Sequence, residues 1–222
     1  MTSKNLQMYN DFQLVYNNLA SNLAPGLTTQ EISMYLTKAY HSLVSQLYQS
    51  YEKDEFSRQA LSPLTSSKKI TPSSEPMDKI VPEAVLFELT DDILYIVNES
   101  IEMSSNALKC FKNRRIKVIP ITHDDFFSAY ENPFRLNQTT ALRLNISHEG
   151  KRFSEIVCKD SHIKNYSIRY LRKPLPIVLE ELEEDEAIFN ITAETECELD
   201  TIYFSDIVKL AAQLAYQDYK SI

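Results

Sequence analysis

The chain has no tryptophan and only two glycines, Gly26 and Gly150, in 222 residues. A loop that cradles phosphate needs several glycines, because only a residue without Cβ lets backbone amides approach the anion closely. P-loop and dinucleotide fingerprints are therefore excluded in their usual form. Cysteine is scarce as well. Cys110, Cys158 and Cys197 are an odd number at wide spacing, forming neither a disulfide framework nor a CxxC pair, and are predicted to be buried or half-buried thiols. No apolar run approaches the ~20 residues of a membrane helix. The N-terminus, MTSKNLQMYNDF, lacks a signal peptide's apolar core, so a cytoplasmic location is expected. Triplets such as Asn98-Glu99-Ser100 are then expected to carry no glycan.

What is present is an uneven charge. Residues 1–179 hold 21 basic and 19 acidic side chains, whereas residues 180–222 hold 2 and 12. The formal net charge of −8 thus comes from the C-terminal end. A duplex-binding surface gains its affinity by neutralising phosphates with cations. A near-neutral body with an anionic end predicts no sequence-specific DNA binding.

The hydrophobic spacing predicts an α+β protein, with N-terminal helices, a central antiparallel β-rich region and a C-terminal helix. Met8, Phe12, Val15 and Leu19 mark a first amphipathic helix over about 4–20, ended by Pro25-Gly26. Thr28-Thr29-Gln30-Glu31 has the form of a capping box. Ile32, Leu36, Ala39, Leu43 and Leu47 continue one face of a second helix, with a break predicted near Lys53-Asp54. The helical N-terminal part is thus 1–62. Residues 63–82, rich in proline and serine, read as a linker or extended loop.

Residues 83–199 read as a β-rich region with one short helix, HDDFFSAYENPF, capped by its aspartates. ALRLNIS and RFSEIVCK are two strands around a His148-Glu149-Gly150 hairpin turn. AIFNITAETECEL adds one or two more. Residues 200–222 form the C-terminal helix, with Asp200 or Ser205 as cap, predicted to pack on the N-terminal helices. The segment YSIRYLRKPLPIVLEELEEDE, residues 166–186, stands out. It begins as a strand bearing Arg169, Arg172 and Lys173, meets Pro174 and Pro176, and ends in six acids. Proline cannot donate to a ladder, so this stretch suits a sheet edge or a chain leaving the sheet.

Chemistry-bearing constellations are sparse. His123-Asp124-Asp125 is the best candidate for a divalent cation or acid–base work, and it supports one alternative reading, a metal-dependent hydrolase. Helix capping by the two aspartates competes with it. Cys158 and His162 lie four apart across a strand end, a poor spacing for zinc. The four histidines carry no nucleophile signature. Lys68-Lys69 and Arg114-Arg115 are short enough to be solvated faces. No catalytic residue, metal or cofactor is assigned. A second alternative is a monomeric protein-binding module that uses the N-terminal helices.

Four segments carry a resemblance: FELTDDILYIVNES (87–100), VIPITHDDFFSAYENPFR (118–135), YSIRYLRKPLPIVLEEL (166–182) and CELDTIYFSDIVKLAAQLA (197–215). In order and spacing the chain resembles the neck proteins of short-tailed bacteriophages, the crAss-like group above all. More remotely it is similar to the podovirus adaptor called tail tubular protein A. Thr90, and Asp200 to Tyr203, depart from the expected turn residues.

The resemblance implies a non-enzymatic virion protein in a homo-oligomeric, dodecameric ring of the head-to-tail connector. It would sit below the portal, touch portal, tail and other neck proteins, and let packaged DNA pass. It would have no membrane partner and would assemble in the host cytoplasm. Under that reading Arg169, Arg172, Lys173, Pro174 and Pro176 would form a subunit interface. Glu180, Glu181, Glu183, Glu184, Asp185 and Glu186 would face the channel, because an anionic wall repels phosphate.

Overall fold

The computed structural model describes residues 1–20, 25–74, 78–103, 115–159 and 163–220. The chain divides into two units, residues 1–64 with 174–222, and residues 65–173.

The first unit is helical. Helix α1 (Ser3–Ala20), α2 (Thr29–Gln49), α3 (Glu55–Ala60) and α5 (Phe204–Lys220) make it up, α5 packing on α1 and α2. The capping box at the start of α2 is complete. Thr28 accepts from the Glu31 amide, and the Glu31 carboxylate accepts from the Thr28 N–H at 2.8 Å. Asp54 caps α3 by accepting from the amides of Phe56 and Ser57, so the break near residue 53 is real. The α1 stripe runs Met8, Phe12, Tyr16, Ala20, a steady i, i+4 ladder that leaves Leu19 exposed.

The second unit is a seven-stranded sheet of β1 (Thr65–Ile70), β2 (Val85–Leu89), β3 (Ile93–Met103), β4 (Arg115–Pro120), β5 (Thr140–His148), β6 (Lys151–Val157) and β7 (Ile163–Arg172). The spatial order is β1-β7-β3-β4-β5-β6-β2. Every pair is antiparallel except β4 with β5, which is parallel. A parallel pair needs a crossover, and residues 121–139 supply it, including helix α4 (Phe126–Glu131).

The sheet is rolled. Phe87 on β2 and Tyr166 on β7 are far apart in strand order, yet their ring centroids lie 5.2 Å apart in one core. The two edges also meet, the Ser73 amide just after β1 donating to the Leu86 carbonyl of β2 at 2.8 Å. On the other face, Phe126 and Ala129 of α4, with Leu136, cover Leu142, Leu144 and Val157. The β5–β6 hairpin turns through Glu149 (φ 50°) and Gly150 (φ 78°). Both sit in the left-handed region that a tight two-residue turn requires.

Several sequence expectations are corrected. The β-rich region is a mixed sheet, since alternation along a strand does not report its neighbour's direction. Residues 65–70 form strand β1, paired along β7, where composition suggested a linker. Strand β7 lies between β1 and β3 and is no edge. Its prolines come after the ladder ends, at the exit from the sheet. Residues 187–199 make only isolated bridges, Ile188 with Ile191 and Val178 with Thr195. Residues 174–199 belong to the helical unit, because Ile177, Val178 and Leu179 are fully buried there. The atypical turns still form: the Ile93 amide donates to the Thr90 carbonyl, and Asp200 accepts from the Ile202 amide.

Candidate functional site

Strand β7 sorts its residues by the period of two. Tyr166, Ile168 and Tyr170 enter the rolled core, which leaves Ser167 and Arg169 on the outer face. Pairing then sets Arg169 opposite Ser67 on β1 and Asn98 on β3, and Ser167 opposite Lys69 and Ser100. Together with Arg115 of β4 they line a polar, cationic groove of about 290 Å³. Among the described residues, Arg115 and Arg169 make no ion pair, while Lys69 reaches Glu102 at 3.7 Å. Neither basic dipeptide had pointed here. In sequence Lys69 and Arg115 read as parts of short solvated basic pairs, and only strand pairing brings them to one face with Arg169. Lys68, the neighbour of Lys69, lines the groove as well and donates to Thr90 Oγ1 at 3.1 Å, and Arg114 lies outside the described residues.

The other residues of the expected interface go elsewhere. Arg172 is half-buried at the end of β7, and Lys173 is exposed. Pro174 and Pro176 are buried inside the helical unit and offer no outer surface. The reason is the strap that follows them. Thr37 Oγ1 accepts from the Ile177 amide at 3.0 Å, and Ser33 Oγ accepts from the Leu179 amide at 3.2 Å. Asn5 Nδ2 donates to the Val178 carbonyl at 3.1 Å. An irregular buried segment must find such partners, since each unpaired buried backbone group costs about 1–3 kcal/mol.

The strap ends where the acids begin. Glu180, Glu181, Glu183, Glu184 and Asp185 are exposed and Glu186 is half-buried. Among the described residues none of the six makes an ion pair. They are held in place all the same. The Leu182 amide donates to the Thr192 carbonyl at 2.9 Å, Gln30 Nε2 donates to the Glu186 carbonyl, and residues 184–186 form one 3-10 turn. A fixed anionic ridge is the result.

The metal candidate comes apart. His123 Nε2 donates to the Asn145 carbonyl at 3.1 Å, and Asp125 Oδ2 accepts from Thr122 Oγ1. Asp125 occupies the cap position of α4 without capping it, so the aspartates do not close that helix end by side-chain bonding either. Among the described residues no three His, Cys, Asp or Glu side chains gather as metal ligands. Cys158 and Cys197 are buried, and burial pushes the Cys197 thiol up to about 12. Cys110 and His162 lie outside the described residues.

Sequence reasoning missed a buried network inside the rolled sheet. Glu99 and Arg143 are each 8% exposed and pair at 2.9 Å, and the Tyr166 hydroxyl donates to Glu99 at 2.5 Å. Arg143 also donates to the Asn145 side chain. Burial, and then the Glu99 charge, push the Tyr166 phenol above its ordinary range. Three strands are locked together by it. The alternation of β3 and β5 put both charges on the core face, but only the pairing shows that they meet.

Chemically, these features offer charged and shaped surfaces and no reactive cluster among the described residues. Residues 1–221 match the family described as phage tail ring protein 3/4, and the chain belongs to that family of crAss-like phage ring proteins. It is 28% identical to "Ring protein 3" of Bacteroides phage crAss001 over 226 residues, covering 97% of this chain and 95% of that relative. It is 27% identical to "Ring protein 4/5" of the same phage, covering 95% and 91%. A structural, ring-forming virion protein of a bacteriophage follows. Among the described residues, no helix is long and apolar enough to cross a membrane.

Proposed function

We propose that the chain builds one ring, a dodecamer, of the head-to-tail connector beneath the portal, extending the passage for DNA and offering a docking surface to the tail. Its work is mechanical, with no substrate turned over. The observation that carries this reading is the fixed ridge of Glu180 to Glu186, unpaired and mostly exposed, in a chain whose family forms rings. A ring lumen of that sign repels phosphate and lets the polymer slide. The cationic face with Arg169, Lys69 and Arg115 then meets an acidic surface of a neighbouring virion protein. Contacts between unlike patches of identical subunits close into a ring when the rotation permits.

Imaging of assembled particles tests the whole reading. The expected density places the chain in a closed ring below the portal with residues 180–186 lining the bore. A ring elsewhere in the particle, or these acids on its outer rim, overturns it.

A further inference from the structure

The helical unit carries an apolar groove of about 190 Å³ between α2 and residues 186–189, walled by Met34, His41, Ile188 and Phe189. A cavity of roughly 150 Å³ is enough to hold a benzene ring. Its outer wall is unusual. Phe189 and Asn190 form a two-residue turn, closed by reciprocal 3.0 Å hydrogen bonds between Ile188 and Ile191. Both residues are left-handed, at φ 49° and 64°. Such a turn favours Asn or Gly, and a bulky residue there is strained. Phe189 is nevertheless held in it, 69% exposed and stacked on the His41 ring at 5.7 Å. The turn does not need that ring; a groove wall does.

The sheet unit carries a matching projection. Phe134 is 90% exposed, the most exposed large apolar side chain among the described residues. It is not a loose tip. Asn132 Oδ1 accepts from its amide at 2.9 Å, the Asn132 carbonyl accepts from the amides of Arg135 and Leu136, and Leu136 is buried in the core beneath. Preorganised aromatic side chains of this kind are the usual anchors of protein interfaces. The flanking charges match in both directions. Exposed Glu131 and Arg135 border Phe134, while exposed Lys38 and half-buried Glu186 border the groove. Among the described residues none of these four makes an ion pair.

We propose that Phe134 of one copy inserts into the groove beside Phe189 of a second copy, with Glu131 facing Lys38 and Arg135 facing Glu186. Knob and groove are different patches of one chain, so the contact is heterologous and propagates from subunit to subunit. This pairing rests on the ring reading and names the contact that closes the ring.

The test places a photoreactive benzoylphenylalanine at position 134 of the full chain. Isotopically light and heavy copies are mixed in equal amounts, and the products are mapped by mass spectrometry, both at high protein concentration and in assembled particles. Crosslinks joining light to heavy chains, from 134 to Met34, Lys38 or residues 186–189, are expected. In a parallel light-scattering assay on the unlabelled chain, Phe134→Ser should lower self-association about tenfold or more, whereas Phe134→Leu should retain most of it. Both variants are expected to keep the wild-type melting temperature, because the side chain is solvated. Crosslinks to other residues or to another protein, crosslinks within single chains only, or no crosslink in either setting overturn the pairing. If rings are still seen in particles, only this contact fails. If none is seen, the ring reading fails with it.

Discussion

Glu155 shows how a single side chain can be set against its surroundings. It lies on β6, 2% exposed, and accepts from the Ile80 amide at 2.7 Å. Burial lifts its carboxyl above the ordinary range, only partly opposed by that amide and by the charges of His123 and Lys79. The folded state therefore keeps this proton to a higher pH than the unfolded chain does. Its contribution is fully present below the ordinary carboxylate pKa and is lost as pH rises through the raised value. Glu155→Gln keeps an acceptor for Ile80 and has no proton to lose. Its melting temperature relative to wild type should rise between pH 4.5 and 7, and a difference that stays constant with pH would contradict the assignment. In the buried network Glu99 and Arg143 pair at 2.9 Å and satisfy one another, and removing either partner would leave a buried charge uncompensated. The residues of this network were readable, since each sits at an inward position of a strand. Their meeting was not, because β3 and β5 are not neighbours in the sheet.

Elements with local causes were the legible ones. The α2 start was visible in Thr28-Thr29-Gln30-Glu31 because both capping bonds lie within four residues. Thr28→Ala should cost about 1 kcal/mol in urea denaturation, while Glu31→Gln should cost less because its side chain can still accept from Thr28. The β5–β6 turn was visible for the same reason, Gly150 supplying a left-handed position. Strand β1 was not. TSSKKI has little to bury, and only its pairing with β7 makes it a strand. Residues 187–199 failed in the opposite sense. Their β-favouring composition found no ladder, and the chain uses them for a tight turn at Phe189-Asn190 and a mostly half-buried return, where the Thr195 carbonyl accepts from Asn5 Nδ2 of α1 at 3.3 Å.

At the scale of the molecule the charge is divided by position in the chain, and its consequence is testable without a particle. The wild-type chain should not bind duplex DNA measurably at 0.15 M salt, its acid ridge repelling phosphate. Changing Glu180, Glu181, Glu183, Glu184 and Asp185 to Lys should leave the fold intact, since all five are exposed. It should create salt-sensitive, sequence-independent binding, measurable by fluorescence anisotropy of a labelled duplex. If the lysine variant binds no better than wild type, the ridge does not govern contact with nucleic acid.

The amino-acid sequence alone determined the α+β class, the α2 start, the hairpin turn and the concentration of anions, since each depends on neighbours within a turn or two of chain. The tertiary structure decided the rest. It set the mixed strand order, brought Lys69, Arg115 and Arg169 to one face from three strands, drew Pro174 and Pro176 inward, and formed the groove beside Phe189. Those arrangements depend on which distant segments bury one another's apolar faces, and no local pattern encodes that choice.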